Sequence, residues 1–329
     1  MRKPSALGAA KVGSVHMSRW YSHCVVPTRD GVARMTCPIC GSNARASGSL
    51  FTSFSARSFS FARCGDCGFG WVIDPREDYD VIYDESYYLG RGADSGVNYQ
   101  VQFLAGPDSL LAKIKDVEYD ALLTTLTTVQ EARHQGAMSG MKILDFGGGV
   151  GGFVRYLNDR GLDAELHDEG YGLEFAASHG VKIRRSLDDV VEHYDVVIAV
   201  EVLEHIKDPH AALDTIHRIL KPGGLLLFTT GNLARHRGDV ATWFYARHPE
   251  VHISFFTPDA FRRLTDRHGL RPLPVRFSAG VIQYLVIMRL PYLKRLAYVT
   301  RAWWRPATAV IETRLGFSEL GAAERMETR

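Results

Sequence analysis

Three things are in short supply in this chain of 329 residues: cysteine, a surplus of either charge, and long apolar runs. The 39 Lys and Arg residues nearly cancel 37 Asp and Glu, so a global electrostatic attraction to nucleic acid is not available. The longest uncharged apolar run, Phe277 to Met288, is followed by Arg289 and Pro291. A bilayer span needs about 20 residues, so no transmembrane helix is expected. Arg2 and Lys3 are not followed by an apolar core, so no secretory signal is expected either. What is left, at 46% hydrophobic and 23% charged, suits a globular protein of one large or two modest domains. Residues 1–36 are basic, rich in Ser, Gly and Ala, and carry one acid, Asp30. They read as a disordered tail, with a transit peptide as the alternative and Met1, Met17 and Met35 as possible starts.

Scarce as cysteine is, four of the five fall into two pairs, "CPICGS" (Cys37, Cys40) and "RCGDCGFG" (Cys64, Cys67). Each C-x2-C wraps a turn around one side of a tetrahedral ion, and the glycine after the second cysteine relieves the tight backbone. Disulfides or two unrelated pairs are the competing readings. Four thiolates leave no open ligand position, so Zn2+ here is expected to be structural, stabilising a module too small to fold alone. A thiolate site of this kind points to the reducing cytoplasm. The ribbon has Arg45, Arg57 and Arg63 but no lysine, which disfavours nucleic acid as its partner. Phe51, Phe54, Phe59, Phe61 and Phe69 are expected to pack against the neighbouring domain. Cys24 is left over.

Beyond the ribbon, Tyr83, Tyr87, Tyr88 and Tyr99 either line a pocket mouth or cover the core. Leu111, Ile114, Leu122 and Leu126 recur at near-helical intervals from Asp108 to about Thr128, and "HQGAMSG" ends that helix. A β-α alternation follows. "KILDF", "DAELHD", "VKIRR", "YDVVIAVE" and "LLLFTT" read as five strands, with "PLPVRFS" and "GVIQYLVIM" as a final pair. Helices lie between, one with Phe153, Tyr156 and Leu157 inward, one from Pro209 to the Lys221-Pro222-Gly223-Gly224 stop, and one over "TPDAFRRLTDRHG". Such alternation implies an α/β fold with a largely parallel sheet covered on both faces, its ligands at the strands' C-terminal ends.

"ILDFGGGVGG" answers to two fingerprints. Gly147, Gly149 and Gly152 spell the G-x-G-x-x-G of a dinucleotide site, whereas Asp145, Gly147, Gly149 and Gly151 spell the D-x-G-x-G-x-G of an S-adenosylmethionine (SAM) site. In either, glycines bring backbone N–H groups and a helix N-terminus to the ligand, and Asp168 after the second strand suits ribose hydroxyls. Asp145 breaks the tie, because a carboxylate suits SAM's ammonium group and not a pyrophosphate. With "VEVLEHIKDP" and "ILKPGGLLLFTT", the stretch from about 141 to 290 resembles a class I SAM-dependent methyltransferase. "DVVIAVEVLEHIKDPHAALDTIHRILKPGGLLLFTTGN" is particularly similar to the ubiquinone-biosynthesis O-methyltransferase branch. From Cys37 onward the chain resembles bacterial methyltransferases with an N-terminal zinc-binding domain, some acting on nucleotide-linked deoxysugars, although it is shorter at the C-terminus than the sugar C-methyltransferases.

The resemblance implies a Rossmann-like seven-stranded SAM methyltransferase sheet with a small N-terminal zinc ribbon. Its parts would be a tail (1–36), the ribbon (37–75), a Tyr-rich lid and linker helix (76–140), the SAM-binding domain (141–290) and a basic amphipathic segment (291–329). It places Asp145, Gly147, Gly149 and Gly151 around the methionine end of SAM, Asp168 on the ribose, and Asp188 either at the adenine or in a solvated loop.

Methyl transfer from a sulfonium needs alignment and a deprotonated nucleophile. Past the fourth strand stand Glu201, Glu204 and His205, which share one face if a helix begins there. In the ubiquinone branch the E-x-x-E-H pattern goes with a metal requirement, here Mg2+ held by Glu201, Glu204 and His205. Otherwise His205 is a base oriented by Glu204, or the acids merely favour a helix dipole. Asn232, His248 and His252 rank second. The absence of N-P-P-Y/F argues against methylation of amino groups on bases. A small-molecule acceptor, a sugar or nucleotide sugar for example, is therefore expected, with a zinc-finger RNA methyltransferase or a catalytically silent SAM-binding protein as rivals. Lys294, Arg295, Arg301, Arg305 and Arg314 among Leu, Tyr and Trp make the C-terminal segment a candidate for an anionic membrane surface or a homodimer contact, against plain packing on its own domain.

Overall fold

A computed structural model describes residues 25–26, 34–52, 54–95, 97–133, 136–273 and 318–326. The N-terminal part is an antiparallel sheet of Val25–Val26 (β1), Arg34–Thr36 (β2), Asn43–Thr52 (β3), Arg57–Cys64 (β4) and Gly70–Val72 (β5). Both cysteine pairs sit on tight turns: Gly41 N donates to Cys37 O at 2.9 Å, and Cys64 N to Phe69 O at 2.8 Å. Phe59, Phe61, Phe69 and Trp71 are fully buried. Phe51 and Phe54 are exposed, against expectation. Side chains alternate along β3, so Leu50 and Thr52 turn inward while Phe51 turns out, and Phe54 lies in the turn beyond.

Four helices cross to the second sheet: Tyr79–Ile82 (α1), Glu85–Tyr88 (α2), Tyr99–Leu104 (α3) and the long Leu110–Ala132 (α4), which runs past Thr128 and is capped by Ser109 Oγ. Then come Lys142–Phe146 (β6), Gly152–Asn158 (α5), Asp163–His167 (β7), Gly170–Ser178 (α6), Tyr194–Val200 (β8), Pro209–Ile219 (α7) and Leu220–Gly231 (β9). The chain continues with Ser254–Phe255 (β10), Pro258–Arg267 (α8), Leu270–Leu273 (β11) and Ser318–Arg325 (β12). The second sheet has the order β11-β12-β9-β8-β6-β7, parallel from β7 to β9, with β12 antiparallel to both its neighbours.

The strand expected at "VKIRR" shrinks to a bridge between Ile183 and Leu166, flanked by Leu166 N to Lys182 O and Arg184 N to Leu166 O at 2.8 and 2.7 Å. It holds the third-strand position outside β7, so the sheet keeps the seven-position layout expected of a Rossmann-like methyltransferase. The helix expected to reach the Lys221–Gly224 stop ends at Ile219, and those residues belong to β9. "GVIQYLVIM" lies outside the described residues, as do 291–317 with the membrane or dimer contact expected there. The place beside β9 is taken by β12, from within the segment expected to be an appendage, and Arg133 bonds Glu324 at 2.7 Å. Among the described residues no helix is long and apolar enough to cross a membrane.

The two sheets are clasped together. β10, which lies in the expected 141–290 domain, pairs with β5 and becomes the sixth strand of the ribbon sheet. Both cysteine turns are held from the same side: His210 Nε2 donates to Pro38 O at 3.0 Å, Thr257 Oγ1 to Cys67 O at 2.6 Å, and Arg263 pairs with Asp66 at 2.8 Å. Thr257 also caps α8 by accepting from Ala260 N. Thr257→Val loses both bonds and should cost about 1–2 kcal/mol, seen as a lower urea midpoint at unchanged m-value, whereas Thr257→Ser should restore most of it.

Candidate active site

The turn after β6 needs its glycines. Gly147, Gly149 and Gly151 have φ of 74°, 60° and 73°, a left-handed backbone that side chains disfavour. Gly148, which the motif spacing leaves unassigned, is as constrained: a Cβ there would land on the Asp145 carboxylate. A Cβ at Gly147 would lie 2.8 Å from the Val202 methyls, so the turn after β8 packs directly on the glycine loop. Asp145 is buried under this loop, and burial together with neighbouring Asp168 pushes it up to about 7. Asp168 accepts from Gly149 N and Glu169 N, both at 2.6 Å. Burial nevertheless raises it to about 7, against those two N–H donors. Tyr88 closes the space from above, its ring beside Gly149 and its hydroxyl against Gly172. Asp188 is exposed, and its N–H donates to Ser186 Oγ at 3.1 Å.

Past β8 the expected helical face does not form. Glu201 is left-handed at φ 53°, pinned by its N–H to Thr229 O and Oγ1 at 3.1 and 3.0 Å, and Leu203–His205 is a single 3-10 turn. Its carboxylate accepts from Tyr245 OH at 2.5 Å. Glu204 is buried with Thr230 Oγ1 donating to Oε2 at 2.9 Å, and burial beside Glu201 raises it well above the carboxylate range. His205 Nδ1 meets Tyr83 OH at 2.9 Å. Burial and the nearby His252 hold its pKa well down, and the Val251 carbonyl acts oppositely. His252 donates from Nδ1 to Tyr245 O at 2.7 Å, and burial takes it to about 4.

The trio that converges is thus Glu204, His205 and His252, with donor atoms within 4.8 Å of one another. Glu201 lies against Glu204 and outside that trio. His252 was visible in sequence only as a second-rank histidine, and Tyr83, Thr230 and Tyr245 carried no signal that separated them from other tyrosines and threonines. Of the remaining candidates, Asn232 caps a turn by accepting from Ala234 N, and His248 bonds Ala93 O.

Cys37, Cys40, Cys64 and Cys67 also gather, with all four sulfurs within 4.8 Å and Cys37–Cys67 and Cys40–Cys64 at 3.6 and 3.5 Å. Their hydrogen bonding and burial push the Cys37 thiol up. The four sulfurs lie close enough together for one metal ion to be held among them.

Residues 119–275 match the methyltransferase domain family. The chain is 30% identical over 155 residues to the ubiquinone biosynthesis O-methyltransferase of Ruegeria pomeroyi, covering 41% of this chain and 62% of that protein. The corresponding Klebsiella pneumoniae enzyme is 33% identical over 113 residues, 31% of this chain and 47% of that one. The chain therefore spans less than two thirds of the length of these relatives. Among solved structures, geranyl diphosphate C-methyltransferase from Streptomyces coelicolor A3(2) is similar at TM-score 0.46 and 17% identity, over 68% of this chain and 85% of that one.

The paired carboxylates make a pH prediction. A cationic ligand favours ionised Asp145 and Asp168, so it should lower their pKa values from about 7 and release protons on binding. SAM affinity should rise between about pH 6 and pH 8, with proton release seen by calorimetry in buffers of differing ionisation enthalpy. Asp168→Asn should reduce both effects.

Proposed function

We propose that this protein transfers the SAM methyl group to a hydroxyl, or a carbon, of a small polar acceptor such as a sugar or nucleotide sugar, a reading supported by the match of residues 119–275 to the methyltransferase domain family. The observation that carries this reading is the packing of Val202, two residues before Glu204, on Gly147 of the glycine loop. Asp145 and the loop would take the methionine end of SAM, Asp168 the ribose, and Asp188 the adenine side. The Glu204–His205–His252 cluster would then act on the acceptor's proton while the methyl group passes in line to the exposed lone pair. His205 is kept uncharged by burial, and Tyr83 fixes its ring. The four-cysteine cluster we assign to structural Zn2+, with the clasp around Pro38 and Cys67 as its use. The ribbon's three arginines and lack of lysine favour a small acceptor over RNA.

Two measurements test this. SAM or its demethylated product should raise the melting temperature and NAD should not; stabilisation by NAD alone would refute the cofactor assignment. His205→Ala should lower turnover by about 100- to 10,000-fold with nearly unchanged SAM affinity, the pattern of an interaction used in the transition state. Normal turnover in that variant would move the chemistry elsewhere.

A further inference from the structure

A chain of hydrogen bonds ties the first cysteine turn to α7 and α8 through residues that the proposed reaction does not use. His210 and Asp214 stand one turn apart on α7, and His268 closes the end of α8. His210 Nε2 meets Pro38 O at 3.0 Å, His210 Nδ1 meets His268 Nε2 at 2.7 Å, and His268 Nδ1 meets Asp214 Oδ1 at 2.6 Å. Both ends of this chain are acceptors, a peptide carbonyl and a carboxylate, so each link needs a proton from an imidazole. Two neutral imidazoles bring one proton too few. We propose that His268 is held as an imidazolium, and that the grip of α7 on the Pro38 turn depends on its extra proton. This junction of ribbon and second sheet then tightens as pH falls and loosens as pH rises, whatever reaction the site performs.

Every way of withdrawing the proton breaks a link. If His268 keeps Nδ1–H for Asp214, its Nε2 and His210 Nδ1 set lone pair against lone pair at 2.7 Å. If His210 takes the other tautomer to fill that gap, its bare Nε2 faces the Pro38 carbonyl. If His268 instead keeps Nε2–H, its bare Nδ1 faces the Asp214 carboxylate. The charge belongs on His268 and not on its neighbour. Burial holds the His210 pKa down, and His268 and Arg267 act with it against the Pro38 carbonyl and Asp208. His217, the other histidine on α7, is lowered by burial, Arg325 and His268, with Asp214 and Glu192 opposing. His268 is only 9% exposed but has the Asp214 carboxylate at 2.6 Å, itself 72% exposed and solvated. The His210 ring separates the titrating group from the cysteine turn. An unfolded chain releases such a proton near the ordinary histidine value of about 6.5. The grip is therefore fully present below that value and is lost as pH rises through the titration of His268 in the folded protein.

Nitrogen NMR of the histidine rings tests this on the full chain carrying its ribbon zinc, titrated from about pH 6 to pH 9. At the acid end His268 should show protons on both ring nitrogens and His210 on Nε2 alone. Hydrogen-exchange protection of the Cys37 and Gly41 amides, corrected for intrinsic exchange, should fall about 10-fold as His268 loses its proton, as for loss of one charge-assisted bond. His268→Gln, whose amide N–H donates without titrating, should keep that protection constant. A single ring proton on His268 at about pH 6 would overturn the imidazolium. The same pH course of protection in wild type and His268→Gln would overturn the dependence of the grip upon it. Should His268→Gln not fold, Asp214→Asn takes its place: removing this exposed carboxylate should move the loss of the His268 proton to lower pH, and an unmoved titration would overturn the proposal.

Discussion

The backbone of Ile253 is the join on which the rest depends. Its N–H donates to Glu204 O at 2.8 Å, and its carbonyl accepts from Val72 N at 2.9 Å. One residue is thus bonded to the ribbon sheet on one side and to the turn after β8 on the other. Neighbouring residues extend the join: His252 enters the cluster, Ser254 and Phe255 pair with Trp71 and Gly70, and Thr257 holds the second cysteine turn. A single buried backbone bond contributes about 0.5–1.5 kcal/mol net, but leaving its groups unpaired costs about 1–3 kcal/mol. The segment that carries His252 is therefore bonded both to the ribbon sheet and to the turn that carries Glu204.

Burial sets the chemistry on both sides of Val202. Asp145, Asp168 and Glu204 are raised, and His205 and His252 are lowered, mainly by desolvation. All five are pushed toward their uncharged forms, so the three carboxyl groups are poised to gain from a cation brought beside them.

Much of this was legible in the chain. The cysteine spacing, four of the five strands read between Lys142 and Gly231 and the glycine loop follow from local patterns that tertiary packing reinforces. The failures have a common cause in distance along the chain. "SELGAAER" has neither alternation nor bulk, so nothing local marks it as a strand; it sits beside β9 because Gly321 leaves room for the Phe228 ring. Glu201 was expected in a helix, yet Thr229 on the adjacent strand holds its N–H in a left-handed turn. Tyr83 and His252 meet His205 from segments far from it in sequence, and no spacing rule reports such a meeting.

The position of β12 has a consequence for synthesis. It lies between β9 and β11, yet it follows both of them in the chain. On the ribosome, β9 and β11 emerge first and must wait, each with an unpaired row of N–H and C=O groups, until residues 318–325 arrive. A nascent chain halted in that interval presents two open sheet edges, the surfaces through which partly made chains join one another. Completing the sheet thus waits on residues 318–325, and chaperone protection matters most just before they emerge.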